Sequence, residues 1–233
     1  MSIINITNSI VPPRKETLSA NVAKQLKDLI LTRKFKTGDR LPAERKLSEM
    51  FNVSRAVIKQ ALFALEYSGF VKPKLGAQGG SVVVYDSSKP IAIFMEDLHR
   101  SGKLKIKHFQ QVRKALELEA IKSAVKHATE ENIKGLMDLN EKFIMPENKG
   151  LHAELNFQFH LSLAKISGNP LIKNLLNPIY ELIFSYPGTT ISSEFLEIAY
   201  KDHFNIIKAV EQRDVTKAEA MLEQNIERIF SEE

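Results

Sequence analysis

Apolar positions set the first predictions. Leu18, Val22, Leu26, Leu29 and Ile30 recur at helical spacing, which predicts a helix over about 18–32. A second, shorter helix follows over about 42–51, with Leu47, Met50 and Phe51 on one face. Pro42 suits its first turn, where the missing N–H would have no partner anyway. Asn52-Val53 interrupts the pattern, and Ser54 suits an N-cap, its hydroxyl able to accept from the first free backbone N–H groups. From there a third helix turns Val57 or Ile58, Ala61, Leu62 and Leu65 inward and leaves Arg55, Lys59 and Gln60 outside. The spacing then changes: 69–74 reads as a strand, 75–80 as a glycine-rich turn and 81–85 as a returning strand.

A short polar stretch, 86–90, closed by Pro90, predicts a linker. Everything after it reads as helix: about 91–101, 106–127, a helix capped by Thr129, then 151–167, 171–185, 192–212 and 215–230. The longest carries Phe109, Val112, Leu116, Ala120, Ile121 and Ala124 as its stripe. Six or seven antiparallel helices with short connections form an all-α bundle. The expected fold class is mainly α: an arm over 1–17, a winged helix-turn-helix with a small β-wing over 18–85, the linker, and a helical domain over 91–233.

Composition narrows the classes. At 233 residues, with 43% hydrophobic and 26% charged content, the chain can bury two ordinary cores. There is no cysteine, which excludes disulfides and thiolate metal sites. No apolar run reaches the roughly 18–20 residues of a membrane span, and the first residues lack a signal peptide's pattern. A cytoplasmic protein without membrane partners is expected. Charge is uneven: residues 1–88 hold 14 Lys+Arg against 7 Asp+Glu, net +7, whereas 89–233 hold 19 against 21, net −2. A basic module joined to a slightly acidic remainder points to nucleic acid at one end only. Helix, tight turn, basic helix and β-wing, in that order, specify duplex DNA.

These residues resemble a known family. Leu41-Pro42-Ala43-Glu44-Arg45, Val53-Ser54-Arg55 and Gly69-Phe70-Val71 before a glycine-tipped wing are similar to the GntR family of bacterial transcription regulators. The resemblance implies that Arg45 begins the phosphate and base contacts. It places Ser54 and Arg55 where the second helix meets the groove, with Lys59 one turn on and Gly76 at a wing tip laid toward the minor groove. Arg55 is the candidate for bidentate guanine readout and Lys59 for a phosphate anchor. One winged helix covers little DNA, so a homodimer on a near-palindromic operator is expected.

In the helical domain, Asn156 and His160 lie four apart on one face among core positions, and His203 precedes Ile206, Ile207 and Val210. Each imidazole is open to two roles, a hydrogen-bonded core residue or a ligand. Asn156 to His160, Ser167-Gly168-Asn169-Pro170, His203 with Ala209-Val210, Arg213-Asp214, and Arg113 with Glu117 resemble the effector domain of the FadR-type subfamily. That resemblance implies a divalent metal, zinc or nickel, held by an aspartate and histidines, beside a small carboxylate effector. Here Asn156 stands at the aspartate position and Asn225 at the last histidine position, so metal binding at His160 and His203 is expected to be weakened or lost. The same four side chains, with Arg113, are then candidates to bind the effector directly. Arg113 can grip a carboxylate bidentately or pair with Glu117 at i+4.

A ligand-responsive, DNA-binding repressor, not an enzyme, is the expected function. The rivals are a metal-assisted hydrolase using His160, His203 and Glu154 or Asp202, and a constitutive DNA binder without effector.

Overall fold

The computed structural model describes residues 16–74, 76, 80–148, 150–184 and 193–228. The chain divides into two compact units, Met1–Lys89 and Pro90–Glu233.

In the first unit, α1 (Leu18–Leu31) begins at Thr17, whose hydroxyl accepts from the Ala20 N–H. Thr17 therefore closes the helix and is not part of the expected arm; residues 1–15 of that arm lie outside the described residues. Helices α2 (Glu44–Phe51) and α3 (Arg55–Tyr67) flank a turn in which Asn52 takes the left-handed conformation, φ 51°. Pro42 does not open α2: Ala43 is its N-cap, and Pro42 precedes the helix. Strands β1 (Val71–Lys74) and β2 (Gly80–Val83) pair antiparallel, Val71 facing Val83 and Lys74 facing Gly80. On the free side of β2, Arg40 bridges Val82, so the chain before α2 widens the wing.

Val22, Leu26 and Ile30 of α1, Leu47 of α2, Ile58, Ala61, Leu62 and Leu65 of α3, and Phe70, Val71 and Val83 make one core. Three positions assigned inward by periodicity are outside it, the first being Leu18, 64% exposed. Leu29 is exposed and Met50 is 62% exposed, because three short helices and a ribbon cover only one narrow stripe of each. Gly69 has a steric role. At φ +75° its carbonyl receives the Asp86 N–H, and a Cβ there would lie 2.1 Å from the Asp86 carbonyl oxygen. Only glycine admits that approach.

The second unit has, among the described residues, seven α-helices: α4 (Lys89–Arg100), α5 (Ile106–His127), α6 (Glu130–Ile144), α7 (His152–Ile166), α8 (Pro170–Phe184), α9 (Ser193–Glu211) and α10 (Val215–Arg228). Because Lys89 and Pro90 already belong to α4, the connector expected over 86–90 ends at Ser88. Helix α5 packs on α7, α8 and α10; α6 lies on α7 and α9, and α9 on α10. Thr129 caps α6 through a capping box with Asn132. Arg213, at φ 61°, donates to the carbonyls of Val125 and Ala128 and so closes the C-terminal end of α5. That accounts physically for an arginine at the α9–α10 turn.

The inward stripe of α5 differs from the sequence expectation. Val112 is half-exposed, and the buried positions are Phe109, Arg113, Glu117, Ala120, Ile121, Ala124 and Val125. Two ions thus occupy interior positions that hydropathy assigns to solvent.

Candidate nucleic-acid interface and buried polar cluster

The Ser54 hydroxyl accepts from the Val57 N–H at 3.4 Å and fixes the start of α3. Ile58 and Ala61 anchor the inner face, which leaves Arg55, Ala56, Lys59 and Gln60 exposed over the first two turns. Among the described residues, no carboxylate pairs with Arg55 or Lys59. Arg45, by contrast, lies 3.7 Å from Glu49 along α2, an exposed pair that water screens and a phosphate can displace. Lys72 and Lys74 extend the cationic surface along β1, and Arg40 adds to it beside β2. Arg40 was missed in the sequence because its segment reads as a turn. Gly76 has φ +106° with open space around it, so its backbone conformation calls for glycine. Leu75, Ala77, Gln78 and Gly79, the rest of the expected wing tip, lie outside the described residues.

The second cluster is buried. Arg113 is wholly inaccessible, and its Nε donates to Glu117 Oε1 at 2.5 Å. Tyr180 OH donates to the same oxygen, and the Arg113 guanidinium lies 4.6 Å from the Tyr180 ring centre. Glu117 Oε2 accepts from His160 Nδ1 at 2.6 Å. Burial alone would raise the Glu117 pKa, but the Arg113 charge and the hydrogen bonds from His160 and Tyr180 outweigh it and hold the carboxyl at about 2. Burial pushes the Tyr180 phenol well above its usual range, despite the opposing pull of Arg113. Of the two pairings open to Arg113, the structure contains the one with Glu117.

His203 lies 5.6 Å from His160, ring centre to ring centre, and stacks on Phe159 at 3.8 Å. Its Nδ1 donates to Asn140 Oδ1 at 3.1 Å, while Asn140 Nδ2 donates to the Tyr200 carbonyl. Burial depresses the His203 pKa well below 6.5 and keeps the ring neutral. Asn156 is buried one turn before His160, and Asn225 Nδ2 reaches Asp202 Oδ2 at 3.5 Å. Asp202 also accepts from Arg228. The four polar residues singled out in the sequence are all interior. Tyr180 and Asn140 were not singled out, because an isolated tyrosine or asparagine on an apolar helix carries no spacing signal. His152 had one: it stands four residues before Asn156 and eight before His160.

Whether these residues suit a metal can be judged from their donors. His160 and His203 are imidazoles and Asn156 and Asn225 are carboxamides, while the adjacent carboxylate, Glu117, is committed to Arg113, Tyr180 and His160. Among the described residues, no group of three or more His, Asp or Glu is placed to hold a metal ion. A buried divalent cation here would gain no compensating charge, and amide oxygens are poor partners for the metals imidazole favours. The donor set does not fit one.

A winged helix with an uncompensated cationic recognition face, joined to a helical domain with an interior polar cluster, defines a DNA-binding regulator of the ligand-responsive type. The family model "Bacterial regulatory proteins, gntR family" matches residues 18–82, and the FCD domain model matches residues 109–228. The chain belongs to the GntR family, in the FadR-type group that carries an FCD domain. It is 26% identical to the HTH-type transcriptional repressor NanR of Cronobacter sakazakii, over 94% of this chain and 86% of that protein. It is 27% identical to NanR of Salmonella newport, over 92% of this chain and 85% of that protein. A solved structure of Streptococcus agalactiae GntR superposes with TM-score 0.70 at 22% identity, covering 92% of this chain and all of that one, and shows the shared fold. The expected family, fold class and regulatory function are thereby borne out. No described helix is long and apolar enough to cross a membrane.

Proposed function

We propose that this protein is a homodimeric, cytoplasmic transcriptional repressor of a near-palindromic operator, controlled by a small effector bound inside its helical domain. Contacts to double-stranded DNA are assigned to Arg45, Ser54, Arg55 and Lys59, with the wing turn at Gly76. The observation that carries this assignment is the pair Arg55 and Lys59, both exposed at the capped start of α3 and without a carboxylate partner among the described residues. Arg55 is suited to guanine and Lys59 to a phosphate. The repressive sign is supported by the names of the NanR relatives.

The effector is assigned to the buried cluster of Arg113, Asn156, His160, His203 and Asn225, with no resident zinc or nickel, because its donors are neutral. Arg113, the anchor a carboxylate effector would need, already has its charge matched by Glu117 through Nε. A hydrolase is disfavoured by the same geometry: Glu154 is exposed and bonded to Gln158, and Asp202 is paired with Arg228. Fluorescence anisotropy on labelled fragments from around the protein's own gene tests the proposal. Tight, salt-sensitive binding to one fragment over random DNA is expected, and equal affinity for all would overturn it.

A further inference from the structure

Resting on the effector site assigned above, we infer that its ligand is an uncharged polyhydroxyl molecule, a sugar or polyol whose hydroxyls donate, and not a carboxylate. His160 Nδ1 faces a Glu117 carboxylate that already accepts from Arg113 and Tyr180, so Nδ1 donates there, and the neutral form of the ring presents a bare Nε2 on its other side. His203 is fixed through a longer chain. The Tyr200 carbonyl takes the Asn140 NH₂, which turns Asn140 Oδ1 toward His203 Nδ1, so this ring also presents a bare Nε2. Asn225 directs its NH₂ at Asp202 and leaves Oδ1 unengaged. In each case a neighbour sets the tautomer or the amide orientation.

His160 Nε2, His203 Nε2, Asn156 Oδ1 and Asn225 Oδ1 are all buried without a hydrogen-bond partner among the described residues. A buried acceptor left unmade is costly, and the three that a neighbour orients, with Asn156 one turn from His160, call for an occupant that donates. Charge chooses among donors. Arg113 is matched by Glu117 and Asp202 by Arg228, so a cation would be buried without a counter-charge. An anionic carboxylate would meet lone pairs. Hydroxyls satisfy the acceptors and bring no charge. Because each hydroxyl donates once and accepts as well, a polyol can serve several acceptors at once.

The test uses the full-length, chelator-treated protein and its Asn225→Leu variant. Melting temperatures are followed with three probe sets at millimolar concentration: glucose, galactose, mannitol and myo-inositol; gluconate, glucuronate and galacturonate; zinc and nickel chlorides. At least one uncharged probe is expected to raise the wild-type melting temperature by about 5 °C at saturation, with no shift from the acids or metals. N225L removes the unengaged acceptor together with the long Nδ2 contact to Asp202, which keeps Arg228, and nearly preserves volume. It is expected to melt no lower than wild type without ligand and to lose the polyol shift. That loss separates site binding from the general exclusion of polyols from protein surfaces. Shifts from an acid or a metal but no polyol, shifts from none of the probes, or a polyol shift that survives in N225L would each overturn the inference. Should N225L fail to fold, His203→Phe, which keeps the stacking on Phe159, supplies the same comparison. Operator binding, measured separately by anisotropy, stands or falls independently of these outcomes.

Discussion

The two units place charge in opposite ways. In the winged helix, Arg55 and Lys59 project into water, where an ion costs little to maintain and a phosphate or guanine can replace its hydration. In the helical unit, Arg113 and Glu117 are sealed from water and persist only because each is matched, Arg113 by Glu117 and Glu117 also by His160 and Tyr180. An exposed charge is available for recognition. A buried, matched one organises its neighbours and is itself spent.

The contrast predicts unequal consequences of removing a charge. The largest is expected from Glu117→Gln, which leaves the Arg113 cation buried without an anion. Loss of about 3–5 kcal/mol in urea unfolding of the helical unit is expected. A change within experimental error would mean that the pair does not support the core. Arg55→Ala should leave stability nearly unchanged, yet remove ~1–3 kcal/mol of preference for operator over random DNA. Competition anisotropy measures this, and an intact preference would take Arg55 out of base reading.

A smaller effect comes from pH. The unfolded chain protonates His203 near 6.5 while the folded chain, whose ring is held well below that, does not. The unfolded state then binds more protons, so stability rises with pH through this window and falls as pH drops below about 6.5, by at most ~1.4 kcal/mol per pH unit. Glu117 has the depressed-carboxylate sign: its contribution is complete above about 4.5 and is lost as pH falls toward about 2. Urea midpoints from neutral to strongly acidic pH, with His203→Gln as the control that flattens the upper part, check both. The smallest effect is expected from Lys59→Ala, which should weaken binding evenly across sequences and lower the salt slope by about 1. A sequence-selective loss would assign Lys59 to base readout.

Much of this was legible in the chain. Helical spacing, the N-cap residues Ser54 and Thr129 and the glycine-flanked wing are local features, and local features write themselves into adjacent residues. The reading failed where a position's neighbour is remote in sequence. Met50 was assigned inward because a hydrophobic side chain at the right spacing carries no sign of whether a partner helix covers it. Val112 and Arg113 were exchanged for the complementary reason: hydropathy sends an arginine to solvent unless the carboxylate one turn on and the tyrosine on another helix are known to enclose it.

For the candidate site, the sequence by itself determined which residues are polar on apolar helices: Arg113, Asn156, His160, His203 and Asn225. Only the tertiary structure decided what those groups offer. Whether an imidazole nitrogen donates or accepts depends on the atom opposite its other nitrogen. Those atoms belong to Glu117 and Asn140, 43 and 63 residues away along the chain. Hydrogen-bond direction is a property of contacts across the bundle, and no one-dimensional pattern records it.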